Sequence, residues 1–268
     1  MPTQLCVLGG GVMGEALISR LISLKIFAAE AITVGEPSTA RQQFLVDAYK
    51  IQAVSDNAAA LAEAEIVLVA VKPQIFAKVV PDLQAVAQQQ TSLLLSIMAG
   101  TPLSTLEAAA PNWPVIRAMP NTPATVGAGM TAIAPGTHTQ TEDLERARMI
   151  FQAVGEVVEV PETLINAVTG LSGSGPGYVA VMIEALADGG VAAGLPRAIA
   201  LQLAIQTVKG TATLLQETDW HPGVLKDRVT SPGGTTIAGV TQLEIGGVRA
   251  SLINAVRAAC DRADELGT

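Results

Sequence analysis

Two stretches of this chain carry residue types whose spacing could do chemistry. The first is Gly9-Gly10-Gly11-Val12-Met13-Gly14, directly after the apolar run Leu5-Cys6-Val7-Leu8 and before a helical pattern with Ala16, Leu17, Leu21 and Leu24 on one side. In a strand–turn–helix setting, Gly9-x-Gly11-x-x-Gly14 is a dinucleotide turn. Its first glycine makes the tight turn, the second admits a pyrophosphate and the third lets helix pack on strand. The second stretch is Ser231-Pro232-Gly233-Gly234-Thr235-Thr236, followed by a helical pattern with Ile237, Val240 and Leu243. Two glycines let a bound group approach the backbone. The helix start behind them offers unpaired N–H groups and a dipole that favours an anion such as a small carboxylate. The same six residues are also compatible with a plain turn carrying a Ser or Thr N-cap.

The elements that must hold these stretches can be read from periodicity. Ala31 to Val34 reads as a second strand ending at Gly35-Glu36. Glu36 stands about 20 residues beyond Gly14, the offset of an acid that accepts from a ribose 2′-OH. Ser38, Thr39 and Arg41 follow at once and could instead hold a 2′-phosphate, so the two signals disagree. Arg41 to Tyr49 is helical, and Asp56-Asn57 caps a further helix. The run Ile66 to Val71 suits a strand buried on both faces and stops at Lys72-Pro73. A helix over roughly Pro73 to Gln88, a strand Leu93 to Ile97 and a short helix come next. Val115 to Met119, Met130 to Ala134 and Val157 to Val160 complete the strands. This alternation predicts an α/β fold with a doubly wound, mainly parallel sheet, which binds ligands at the C-terminal ends of its strands. Three polar breaks fall there: Lys72-Pro73, Ala99-Gly100 and Pro120-Asn121-Thr122.

Beyond about residue 162 strands give way to helices. Leu164 to Leu171 reads as helix and Ser172 to Pro176 as a break. Gly177 to Ala193 and Pro196 to Leu215 carry apolar residues nearly all round, so each must be buried on all sides. Two such helices exceed what a small domain can bury alone, which points to a partner subunit and a homo-oligomer. A self-contained bundle is the competing arrangement. The last helix has one seam, through Leu252, Val256, Ala259, Ala263 and Leu266.

Composition narrows the function classes. At 268 residues with 49% apolar residues, the chain can build a sizeable core. A net charge of −8 argues against a nucleic-acid partner. Uninterrupted apolar runs fall short of the roughly 20 residues that span a bilayer. Cys6 and Cys260 read as buried free thiols of a reducing, cytoplasmic compartment, and the two histidines lie too far apart for a metal site.

The run His221 to Glu244, HPGVLKDRVTSPGGTTIAGVTQLE, resembles the signature of the pyrroline-5-carboxylate reductase family. Val7 to Gly14, Ala70-Val71-Lys72-Pro73, Arg117 to Pro123, Leu171 to Tyr178, Glu184 to Gly190 and Gly194 to Arg197 match the same family in the same order. The resemblance implies hydride transfer from NADPH or NADH to the C=N carbon of 1-pyrroline-5-carboxylate, giving proline. It implies a Rossmann domain over residues 1–162 and an all-α substrate-binding and dimerisation domain over 163–268. The homodimer would form through the C-terminal helices, in a family whose dimers often assemble into decamers. Cofactor contacts carry over to Leu8, Gly9, Gly11, Val12, Met13, Gly14, Glu36, Asn57, Ala70, Val71, Lys72, Pro73, Ile97, Met98 and Ala99. Substrate contacts carry over to Thr235 and Thr236, within a carboxylate cradle of Ser231, Gly233 and Gly234. Thr236 becomes the catalytic hydroxyl that hydrogen-bonds the ring nitrogen. Two positions depart from the family pattern. Glu36 stands where a small hydroxyl residue is common, which works against the usual NADPH preference. Tyr178 follows Pro176-Gly177 where Pro-Ala is more usual.

Two other readings stay open from sequence. A hydroxyacid dehydrogenase would use a helical lysine, for which Lys209 is the nearest candidate, though it lacks the flanking glycine–asparagine pattern. A dinucleotide-binding scaffold or sensor would bind cofactor without turnover.

Overall fold

The computed structural model describes residues 4–266. These form two compact units. One runs to Ser174 and takes back the chain from Ala259; the other is Gly175–Ala258.

The first unit is built on one eight-stranded sheet. Its strands are β1 (Leu5–Leu8), β2 (Ile32–Gly35), β3 (Gln52–Val54), β4 (Ile66–Val69), β5 (Leu93–Ser96), β6 (Val115–Met119), β7 (Gly129–Pro135) and β8 (Gly155–Glu159). They lie in the order 3-2-1-4-5-6-7-8, all pairs parallel except β6 with β7. Helices α1 (Val12–Ser23), α2 (Thr39–Tyr49), α3 (Asn57–Leu61), α4 (Pro73–Ala87), α5 (Leu103–Ala109), α6 (Thr141–Gln152) and α7 (Ile165–Val168) connect and cover it. Successive strand side chains alternate between the faces. Leu5 and Val7 thus join one core with Ile66, Leu68 and Ile116, while Cys6 and Leu8 join the other with Val67, Val69 and Val115. Both faces are dry, which is why the central strands read as unbroken apolar runs. Burial pushes the Cys6 thiol pKa far up and keeps it neutral. Cys260 departs from the buried thiol expected of it: it is half-buried.

The buried Arg117 is anchored at the far side of the sheet. Its Nη1 donates to Glu162 Oε1 at 2.9 Å, and the same oxygen accepts from Leu103 N at 2.6 Å, at the start of α5. One carboxylate therefore neutralises a buried cation and satisfies an open helix end. Glu162→Ala should cost about 2–3 kcal/mol, because it leaves the buried donors of Arg117 and Leu103 N without their acceptor. Glu162→Gln should cost less, since an acceptor for Leu103 N survives. Chemical denaturation of the two variants checks this order.

The second unit contains α8 (Gly175–Ala192), α9 (Arg197–Thr218), α10 (Pro222–Arg228), α11 (Thr235–Ile245) and most of α12 (Val248–Leu266). The break expected at Ser172–Pro176 narrows to a bend at Ser174, where the two units divide. Thr169–Gly173 winds as a π-turn, with Ser174 N donating to Thr169 O at 2.8 Å, and α8 starts at Gly175. The wider turn absorbs the glycines that read as a stop. Among the described residues of this unit, the buried apolar set is Ala187, Ala200 and Ala204. Large residues such as Ile199, Leu203 and Ile205 are about half exposed, so a single chain does not close this bundle on itself. Among the described residues one helix, α9, is long and apolar enough to cross a membrane by length and composition.

Candidate active site

Strand register explains why one edge of the sheet can hold a long ligand. Leu8 pairs with Gly35 and with Val69, and Val69 pairs with Ser96. Four neighbouring strands thus end level, and Gly9, Glu36, Ala70 and Ile97 are the first residues beyond. The cofactor candidates drawn from β1, β2, β4 and β5 all meet at this edge. Backbone bonds stitch it: Gly9 N donates to Gly35 O at 2.9 Å, Ala70 N to Leu8 O at 2.8 Å and Ile97 N to Val69 O at 3.1 Å.

The three fingerprint glycines have different reasons to be glycine. Gly9 has φ +104, and a Cβ there would stand 2.9 Å from the Ala70 carbonyl. A Cβ on Gly14 would stand 2.5 Å from Gly9 O, so this residue sets how closely α1 meets the strand. Gly11 is different. Its φ of −70 suits any residue, and a Cβ there would meet nothing within 4 Å. Neither strain nor crowding within the chain requires glycine at 11. An approaching ligand would. Gly11 is the N-cap of α1 and supplies no side-chain bond, so the amides of Val12, Met13 and Gly14 face outward without intrahelical acceptors. The residues present therefore fit a pyrophosphate.

At the β2 end, Glu36 is fixed at both oxygens. Oε2 accepts from Gly10 N and Oε1 from Ser38 N, each at 3.0 Å. Arg41, which in sequence could hold a 2′-phosphate, has other partners in the structure. Its Nε donates to Gly10 O at 2.6 Å, its Nη2 pairs with Glu15, and its guanidinium lies 4.8 Å from the Phe44 ring centre. Tyr49 Oη donates to the other Glu15 oxygen at 2.7 Å. Burial raises the Glu15 pKa, but the bonds from Arg41 and Tyr49 outweigh it and hold the group below its usual range. Burial and the neighbouring Glu15 push Tyr49 upward. Sequence reasoning missed Gly10, Glu15 and Tyr49, because their partners lie 26 to 34 residues away.

The remaining cofactor candidates divide by exposure. Asn57 begins α3 and donates from Nδ2 to Asp82 Oδ2 at 3.1 Å. Ala70 and Val71 are half-buried, and Lys72 and Pro73 are exposed at the start of α4. Met98 has its side chain in the core, so it can offer a ligand only its backbone. Ile97 is half-buried and Ala99 exposed.

In the second unit, α10 ends where Thr230 Oγ1 donates to Lys226 O. The chain then turns through Gly233, whose φ of +68 favours glycine. Gly234 is the N-cap of α11, with its N–H donating to Ser231 O at 3.0 Å and no side-chain cap. The Ser or Thr cap of the plain-turn reading is absent. Thr235 and Thr236 occupy the first two helical positions; Thr235 is exposed and Thr236 half-buried. The first amides of α11 point out of the helix behind a glycine turn. His221 caps α10, its Nδ1 accepting from Gly223 N at 3.1 Å, so its ring has a structural task.

A level strand-end edge with a glycine turn at its centre defines a dinucleotide-binding protein of the Rossmann class. Residues 4–100 match the model "NADP oxidoreductase coenzyme F420-dependent", and residues 162–266 match "Pyrroline-5-carboxylate reductase dimerisation". A pyrroline-5-carboxylate reductase of Synechocystis sp. is 56% identical over 267 residues, covering 100% of this chain and 99% of the relative. Among solved structures, a pyrroline-5-carboxylate reductase from Coxiella burnetii superposes with a TM-score of 0.94 at 32% identity, covering 100% of both chains. A Plasmodium falciparum pyrroline carboxylate reductase with NADP bound gives 0.88 at 30% identity, covering 99% of this chain and 98% of that one. The chain belongs to the pyrroline-5-carboxylate reductase family, whose members are NAD(P)H-dependent oxidoreductases.

Proposed function

We infer that this chain reduces 1-pyrroline-5-carboxylate to L-proline, the last step of proline synthesis, with NAD(P)H as the reductant. The observation that carries the site assignment is the uncapped start of α11 behind Gly233 and Gly234. It is a carboxylate cradle with two hydroxyls beside it, in a chain that also holds a dinucleotide edge.

Gly9, Gly11, Val12, Met13 and Gly14 would hold the pyrophosphate. Leu8, Glu36 and Asn57 would face the adenosine side, and Ala70 to Pro73 with Ile97 to Ala99 the nicotinamide side. When bound, the reduced nicotinamide supplies a hydride to the imine carbon. The amides of Gly233 to Thr236, with Ser231 beside them, grip the substrate carboxylate and fix the ring. Thr236 hydrogen-bonds the ring nitrogen and passes a proton from water. A hydroxyl is too weak an acid to force protonation, but a cyclic imine is already partly protonated near neutral pH. Catalysis then rests on positioning, which demands no strong acid or base from the chain. The exposed His138 and the capping His221 fit that absence.

The division into a cofactor half, residues 1–162, and a substrate and dimerisation half, residues 163–268, belongs to the same reading. The dimerisation model that begins at residue 162 supports it. The half-exposed Ile199, Leu203 and Ile205 would be covered by the α8–α12 helices of a second copy, with dimers building toward a decamer. We assign the enzyme to the cytoplasm, where Cys6 and Cys260 stay reduced. Following NAD(P)H absorbance with 1-pyrroline-5-carboxylate against a panel of 3-hydroxy acids tests the reading. Turnover of the imine alone is expected, from a species whose solution mass is an even multiple of 27.5 kDa. Tight cofactor binding without imine turnover would favour a scaffold instead.

A further inference from the structure

We propose that Glu36 makes this enzyme select NADH over NADPH, and that Arg41, despite its position, is not a 2′-phosphate ligand. The inference rests on the cofactor assignment above and concerns only the adenosine ribose. Glu36 stands one residue beyond β2, where an acid accepts from the ribose 2′-OH. Its carboxylate does not swing freely. Gly10 N holds one oxygen and Ser38 N the other, both at 3.0 Å. Each oxygen keeps a further lone pair for a ribose hydroxyl. A 2′-phosphate has no hydroxyl to donate there and brings negative charge toward a carboxylate that the backbone prevents from retreating.

The nearby cation does not offset this. Arg41 is held by Gly10 O, by Glu15 and by the Phe44 ring. Turning it toward a phosphate would strip Glu15 of its counter-ion and break the bond that steadies the middle glycine of the turn. Glu36, Glu15 and Arg41 together carry two negative charges and one positive, so this corner is net negative. A net negative corner repels the phosphate before any specific contact forms.

Isothermal titration calorimetry of NADH and NADPH on the full chain, without imine, tests this apart from catalysis. Wild type should bind NADH about tenfold tighter or more. Glu36→Gln removes the charge and keeps an acceptor for Gly10 N, so it should narrow that ratio by about tenfold. Arg41→Met removes one neighbouring positive charge and should shift the ratio toward NADH by no more than a few-fold, well short of the tenfold or more that losing a direct phosphate ligand would cost. Equal or tighter binding of NADPH by wild type would overturn the proposal. So would an unmoved ratio in Glu36→Gln, or a selective loss of NADPH binding of tenfold or more in Arg41→Met. If neither cofactor binds, the cofactor assignment itself falls with it.

Discussion

Thr236→Ala should lower kcat/KM for 1-pyrroline-5-carboxylate by about one to two orders of magnitude, with the Kd for NAD(P)H unchanged. The magnitude follows from one hydrogen bond to a charged or charging group, about 1.5–3 kcal/mol. The fold gives the variant a clean background. Thr236 sits at the second helical position and does not cap α11; Gly234 occupies the cap without any side-chain bond. Alanine is the better helix former there, so stability should hold or rise. Thr236→Ser restores the hydroxyl and should recover most of the lost rate. Steady-state kinetics beside a cofactor titration separates the outcomes. Wild-type kcat/KM in the alanine variant would remove Thr236 from the chemistry.

The second large effect is expected at Gly11. Gly11→Ala should weaken NAD(P)H binding by about tenfold to a hundredfold while thermal stability stays nearly constant. Neither its backbone angles nor its surroundings within the chain ask for glycine, since the added Cβ meets nothing within 4 Å. The only cost to folding is a weaker N-cap, a fraction of a kcal/mol. Gly14→Ala makes the contrast, because its Cβ would stand 2.5 Å from Gly9 O and should damage turn and fold together. Calorimetric Kd values beside melting curves would read both. Unchanged cofactor affinity in Gly11→Ala would mean that the open space above the turn is not where the pyrophosphate lies.

The glycine turn and the central strands could be read early because their signal is local. A strand buried on both faces must be apolar throughout, and Ile66–Val69 announces itself that way. Strand β3 could not be read so. Gln52–Val54 is a short edge strand, exposed at Gln52, without an alternation to mark it. The π-turn at Thr169–Gly173 was illegible for another reason. Glycine and serine predict a stop from propensity, and only the bond from Ser174 N to Thr169 O shows that the coil continues through Gly173 up to the bend at Ser174. The start of α11 behind Gly234 was legible, since a glycine pair before an apolar helical pattern is a local boundary. In sequence Arg41 read as a residue that could hold a 2′-phosphate, against the signal of Glu36. Its choice of Glu15 and Gly10 O over the loop beside Glu36 depends on α2 lying against α1, a fact no local pattern contains.

The sparse interior of the helical unit has a kinetic and thermodynamic consequence. Three small alanines supply too little apolar contact to offset the chain entropy of five helices. On the dimer reading, ordering these helices and meeting a second copy become one event, and melting temperature rises with protein concentration. Dilution would then loosen the helices that carry Thr236 before it disturbs the nucleotide fold, so imine turnover would fall with protein concentration while cofactor binding persists.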